Sequence, residues 1–130
     1  MTKQRVLLID DAPTLARVLV QHFRDAGFEA QSANDGDSGL RAFAAQPFDA
    51  VVTDILMPQR EGFGTIRDMR RHAPDSVIVA VSGCGRIDPA TMREVALQSG
   101  ADDFFAKPFR PGDLIAQIHR LLGVRAGAAA

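Results

Sequence analysis

Val51-Val52-Thr53-Asp54-Ile55-Leu56-Met57-Pro58 decides how the rest of this chain is read. Two valines and a threonine lead into a carboxylate, a Met-Pro turn follows, and Gly62 lies just beyond. A short β-branched run ended by turn residues reads as a buried strand. Asp54 therefore stands where a strand runs out. Ligands of open parallel α/β sheets gather outside the carboxyl ends of the strands, so Asp54 is a site candidate.

Four more strand-like runs flank this one. Residues 5–9, 28–33, 76–81 and 102–106 read as strands one, two, four and five, with strand three at 49–53. Strand four is apolar almost throughout, which predicts a central strand covered on both faces. Helical spacing fills each gap. Pro13 suits a first helical turn, Leu15, Leu19, Phe23 and Ala26 follow in register, and Gly27 ends helix one. Asp35 caps helix two, which carries Leu40, Phe43 and Ala44. Helix three covers about 61–72, with Phe63, Ile66 and Met69 inward and Arg67, Arg70 and Arg71 toward water. Asp88-Pro89 opens helix four, whose inner face is Met92, Val95, Ala96 and Ser99, and Gly100 caps it. Helix five covers about 111–122 and stops at Gly123.

Strands alternating with helices through short connections give a (βα)₅ pattern: a five-stranded parallel sheet, doubly wound with helices on both faces. The expected domain is residues 1–123, followed by a flexible small-residue tail at 124–130.

Composition narrows the function classes. The 130 residues hold 15 basic and 16 acidic side chains, a net charge of −1, so no global charge favours nucleic acid. No apolar run approaches the roughly 20 residues that span a bilayer. No signal peptide precedes the first strand, and the single cysteine, Cys84, fits a reducing compartment, so the expectation is a cytoplasmic protein. His22, His72 and His119 lie on separate helices, and no Cys/His spacing points to zinc.

In a parallel sheet all carboxyl ends share one edge. That edge would carry Asp10 and Asp11 after strand one, Asp54 after strand three, Ser82 after strand four and Lys107 after strand five. Three grouped carboxylates repel one another unless a cation intervenes. A hard divalent ion such as Mg²⁺, with oxygen ligands, answers that need. A hydroxyl and an ammonium complete a set that suits a phosphoryl group, whose transfer demands mainly positioning and charge neutralisation. A carboxylate can accept the group covalently.

Asp10-Asp11, Asp54, Met57-Pro58 with Gly62, Ser82 and Lys107-Pro108 together resemble the receiver domain of two-component response regulators, over about residues 4–123. The resemblance implies a flavodoxin-like sheet of order 2-1-3-4-5. It implies Asp54 as phosphoacceptor, with Mg²⁺ held by Asp10, Asp11, Asp54 and the Leu56 backbone carbonyl. Lys107 would pair with the phosphoryl group across a cis bond to Pro108. Ser82 would move to a phosphoryl oxygen on activation, and Phe104 occupies the place of the family's switch aromatic. The implied partners are a histidine kinase or histidine phosphotransfer protein and an unknown downstream protein. Neither nucleic acid nor membrane is expected to bind directly, and the chain would be a monomer or a phosphorylation-dependent dimer. It would work as a stand-alone phosphorelay component, not an enzyme beyond self-phosphorylation and slow self-dephosphorylation, signalling through helix four, strand five and helix five.

Two departures stand out. Gly83 follows the serine where the family has alanine, and the segment 83–89 is about three residues longer than usual, with two glycines. That loop is expected to be mobile and to order on phosphorylation. Leu56 and Cys84 occupy the family's two variable positions that tune hydrolysis, and neither orients a water strongly. Other classes fit less well. An Asp-nucleophile phosphohydrolase sets its acids as Asp-x-Asp after strand one. A flavin carrier needs a hydroxyl-rich phosphate loop where this chain has Asp10-Asp11-Ala12-Pro13. A receiver fold working without phosphorylation would not need the full residue set.

Overall fold

A computed structural model describes residues 3–55 and 62–129. Its elements alternate as expected: β1 (Arg5–Ile9), α1 (Pro13–Asp25), β2 (Glu29–Ala33), α2 (Gly36–Ala45), β3 (Ala50–Asp54), α3 (Gly62–His72), β4 (Val77–Ser82), α4 (Pro89–Ser99), β5 (Asp103–Ala106) and α5 (Pro111–Ala129). The strands form one sheet in the order β2-β1-β3-β4-β5, every pair parallel.

Alternation along each strand divides the core in two. Val6, Leu8, Val52, Val77, Val79 and Val81 face one side, with Leu19 and Phe23 of α1 and Leu114 and Ile118 of α5. Leu7, Ile9, Val51, Ile78 and Ala80 face the other, under Phe43 of α2, Ile66 and Met69 of α3, and Met92 and Ala96 of α4. All six residues of β4 are buried, as its unbroken apolar run requires.

The caps follow from residue chemistry. The Asp35 carboxylate accepts from Ser38 N at 2.7 Å, and Asp88 accepts from Thr91 N at 3.2 Å. Gly27 and Gly100 end α1 and α4 with φ of +97° and +120°, a region side chains with a Cβ avoid.

Three expectations need correction. Helix five does not stop at Gly123: its backbone stays helical to Ala129. Gly123 is absent from the positive-φ glycines among the described residues, so the left-handed turn that makes glycine a terminator does not occur. The alanines beyond it are strong helix formers. Val95 is exposed, not inward, and α4 buries Met92 and Ala96 alone. Arg70 does not face water. It lies four residues after the buried Ile66, on the inner stripe of α3. Its guanidinium donates to Gly100 O, Pro74 O and Ser76 O and pairs with Asp102 at 2.8 Å.

Close packing of α2 on β1 depends on Gly39. A Cβ there would lie 2.4 Å from Ile9 Cδ1 and 2.8 Å from Cγ1. Alanine gains up to about 1 kcal/mol of helix propensity, but overpacking a filled core costs about 1–3 kcal/mol. Ile9 is buried and cannot retreat freely. Gly39→Ala is therefore expected to destabilise the fold by about 1 kcal/mol. A urea midpoint equal to or above the wild type's would show that Ile9 yields.

Candidate functional site

Parallel strands bring five side chains to one edge of the sheet. β1 ends at Ile9, and Asp10 N continues its pairing by donating to Ala33 O at 3.1 Å. Asp54 is the last residue of β3 and Ser82 the last of β4. Lys107 follows β5, held in line by its N–H to Ser82 O at 2.8 Å, and its bond to Pro108 is cis.

Asp10 is 3% exposed and Asp54 4%. Two buried carboxylates need a cation, and Lys107 supplies it. Its Nζ donates to Asp54 Oδ2 at 2.6 Å and to Asp10 Oδ2 at 3.1 Å. The second oxygen of Asp10 accepts from Ala12 N at 2.8 Å, which fixes the turn into α1. Asp11 is exposed. Carboxylate oxygens of Asp10, Asp11 and Asp54 lie within 4.8 Å of one another. That donor set, all oxygen and open to solvent at Asp11, fits a hard divalent cation that keeps some of its water.

Partial burial works against the charge of Lys107, but its bonds to Asp54 and then Asp10 outweigh this and raise its pKa above the ordinary lysine value of 10.5. A base whose pKa is raised on folding adds stability that is complete below the unfolded pKa. The stability is lost as pH climbs through the folded one. The ion pairs should therefore be intact at neutral pH and weaken only above about pH 10.4. The difference in thermal stability between wild type and Lys107→Met, followed from pH 8 to 11.5, is expected to narrow toward the alkaline end. A constant gap across that range would contradict it.

Ser82 reaches the edge fully buried, but its hydroxyl accepts from Cys84 N at 2.9 Å. The loop beyond is anchored: Cys84 is buried, and Ile87 N donates to Cys84 O at 2.9 Å, closing a turn. Cys84 and Gly85 have φ of +69° and +54°. Phe104 turns under α4 into a cluster with Cys84, Met92, Ala96 and Ala101, while Phe105 faces the opposite layer against Phe109. Leu56 and the Met57-Pro58 turn lie outside the described residues.

Two groups of residues escaped the sequence reading. One is Arg70 with Asp102. The other is Asp103, whose carboxylate joins Arg93 of α4 to Gln117 of α5. Their only sequence signal is an acidic pair opening a strand beside helices that carry inward-placed polar residues. A separate apolar groove of about 640 Å³ runs between α2 and α3 by Phe43, Phe48 and Ala73, at the sheet edge away from Asp54.

The response regulator receiver domain family matches residues 6–119, and the chain belongs to it. Among curated relatives, the probable transcriptional regulator ycf27 of Porphyridium aerugineum is 31% identical over 94% of this chain and 49% of its own length. The DNA-binding response regulator MtrA of Mycolicibacterium smegmatis is 31% identical over 92% of this chain and 51% of its own. The chain thus spans about half the length of the curated relatives it matches. A CheY-like receiver domain protein from Methanospirillum hungatei superposes with a TM-score of 0.90 at 24% identity, covering 98% of this chain and 99% of that one. The Francisella response regulator 1452 receiver domain does so at 0.84 and 26% identity, covering 93% and 98%. The flavodoxin-like order of the sheet is the one these folds share.

Receiver domains act in two-component signal transduction as phosphoacceptors, are phosphorylated by histidine kinases, and bind Mg²⁺ at an acidic pocket. Among the described residues, no helix is long and apolar enough to cross a membrane.

Proposed function

We propose that this chain accepts a phosphoryl group on Asp54 from a phosphohistidine of a kinase or phosphotransfer protein. One observation carries the reading: Asp54 is buried at the strand end, bonded to Lys107, with the carboxylates of Asp10 and Asp11 beside it. Mg²⁺ held by Asp10, Asp11 and Asp54 would neutralise charge on the transferring group. An Asp54 oxygen attacks phosphorus. The phosphorus–nitrogen bond to the donor imidazole breaks, and its electron pair stays on the nitrogen. Lys107, 2.6 Å from Asp54 Oδ2, is placed to follow the charge onto the new phosphoryl oxygens. Ser82 would exchange its Cys84 contact for a phosphoryl oxygen, and the surface of α4, β5 and α5 would carry the change to a protein partner.

Transfer to Asp54 is tested by treating the labelled protein with hydroxylamine. An acyl phosphate is attacked at its carbonyl carbon and leaves a hydroxamate on the peptide containing Asp54, whereas a phosphoserine is untouched and a phosphohistidine leaves no such mark. The label is also expected to persist for minutes, because the Cys84 side chain is turned into the core and offers nothing to orient a water. Loss of label within seconds would contradict that.

A further inference from the structure

Three carboxylates are buried among the described residues: Asp10, Asp54 and Asp103. The first two belong to the site. Asp103, 7% exposed at the start of the edge strand β5, does not. Its Oδ1 accepts from Arg93 Nη1 of α4 at 2.6 Å and from Phe104 N at 2.8 Å. Its Oδ2 accepts from Gln117 Nε2 of α5 at 2.8 Å. Arg93 Nη1 also donates to Phe104 O at 3.3 Å. A single carboxylate therefore joins two helices that pack on opposite faces of the sheet.

Buried charges are a weak way to gain stability, because desolvation offsets the attraction. Their use in fixing one arrangement over another fits what surrounds this one. Helix α4 is lightly seated: it buries Met92 and Ala96, whereas α1 buries Ala16, Leu19, Val20 and Phe23. Val95 and Leu97 of α4 are exposed. A polar tie therefore adds to the two apolar side chains that hold α4 against β5. The seat of α4 is also in contact with the site. Ser82 Oγ holds the Cys84 amide, and Cys84 packs in the same cluster as Phe104, Met92 and Ala96. A move of the Ser82 hydroxyl away from that amide would remove one of the contacts that hold Cys84 in the cluster under α4.

We propose that the Arg93–Asp103–Gln117 bridge is a lock. It holds α4 and α5 in the arrangement that accompanies Ser82 on the Cys84 amide, and it opposes the arrangement that a phosphoryl group on Asp54 favours. The proposal rests on the phosphoacceptor reading and names the contact that regulates it. Weakening a state that competes with ligand binding raises the apparent affinity of the ligand.

The test uses beryllofluoride with Mg²⁺ as a phosphoryl mimic, titrated calorimetrically into the full chain. Arg93→Gln removes the charge from an exposed position and should leave the fold intact. It is expected to bind the mimic about fivefold or more tightly than wild type. Arg93→Lys should return the affinity most of the way. Amide exchange in α4 should be faster in Arg93→Gln before the mimic is added and equal to wild type after. A purely structural bridge would lower the unfolding temperature and leave the affinity alone. An Arg93→Gln affinity within about twofold of a wild type that binds normally overturns the lock while leaving the Asp54 reading standing. A wild type that binds no mimic overturns both.

Discussion

Replacing Arg70 by alanine is expected to lower the unfolding free energy by about 3 kcal/mol, the scale of breaking one side of a largely buried ion pair. The reason lies in what the guanidinium connects. It leaves α3 and reaches Pro74 O and Ser76 O at the entry to β4, Gly100 O at the end of α4, and Asp102 ahead of β5. Asp102 also accepts from Ile78 N at 2.8 Å. Truncation would strip a donor from three carbonyls and the counter-ion from a carboxylate. Each polar group left short of a partner costs on the order of 1–3 kcal/mol when buried. Partial exposure of the pair, 22% and 21%, keeps the sum well below that limit. Arg71, exposed on the same helix, is the control. Arg71→Ala is expected to change stability by less than about 0.5 kcal/mol. Equal urea midpoints for the two variants would show that the Arg70 hub contributes nothing beyond a surface charge.

Asp11→Asn is expected to raise the Mg²⁺ concentration needed for half-maximal phosphorylation by at least about tenfold. A charge about 4 Å from a cation is worth roughly 1 kcal/mol in water and about 4 kcal/mol in a partly shielded site. Tenfold, about 1.4 kcal/mol, lies near the lower end of that range. Asp11 is the informative position because it is exposed and carries no link to Lys107. Asp10 would confound the result, since its two oxygens hold Lys107 and Ala12 N. The readout is the initial rate of phosphorylation from a small acyl phosphate against Mg²⁺ concentration. An unchanged Mg²⁺ midpoint would remove Asp11 from the metal's ligand set.

Most of the sheet was legible because β1, β3 and β4 are runs rich in β-branched and other apolar residues ended by a turn signal, and α1, α2, α4 and α5 begin at a cap or a proline. The site was legible for the same reason: parallel strands force Asp10, Asp54, Ser82 and Lys107 to one edge whatever the helices do. Tertiary partners were not legible. Arg70 and Val95 lie at positions where local pattern assigns one face and packing the other. An arginine next to Met69 looks solvated until Asp102, 32 residues on, comes beside it. Val95 looks inward until Met92 and Ala96 prove enough to seat a helix at the sheet's edge. Gly123 failed as a stop because a terminator works through a left-handed φ, which sequence alone does not reveal. The direction of Phe104 depended on register, which the pairing of Ala80 with Phe104 fixes.

The central claim is that Asp54 is the residue that takes up the phosphoryl group. Intact mass spectrometry after incubation with Mg²⁺ and a small acyl phosphate tests it most directly. Wild type should gain the mass of one phosphoryl group, the gain should vanish when Mg²⁺ is chelated, and Asp54→Asn should gain nothing. A wild type that stays at its unmodified mass with both a small donor and a competent histidine kinase, or an Asp54→Asn protein that gains the group as fast as wild type, would contradict the account.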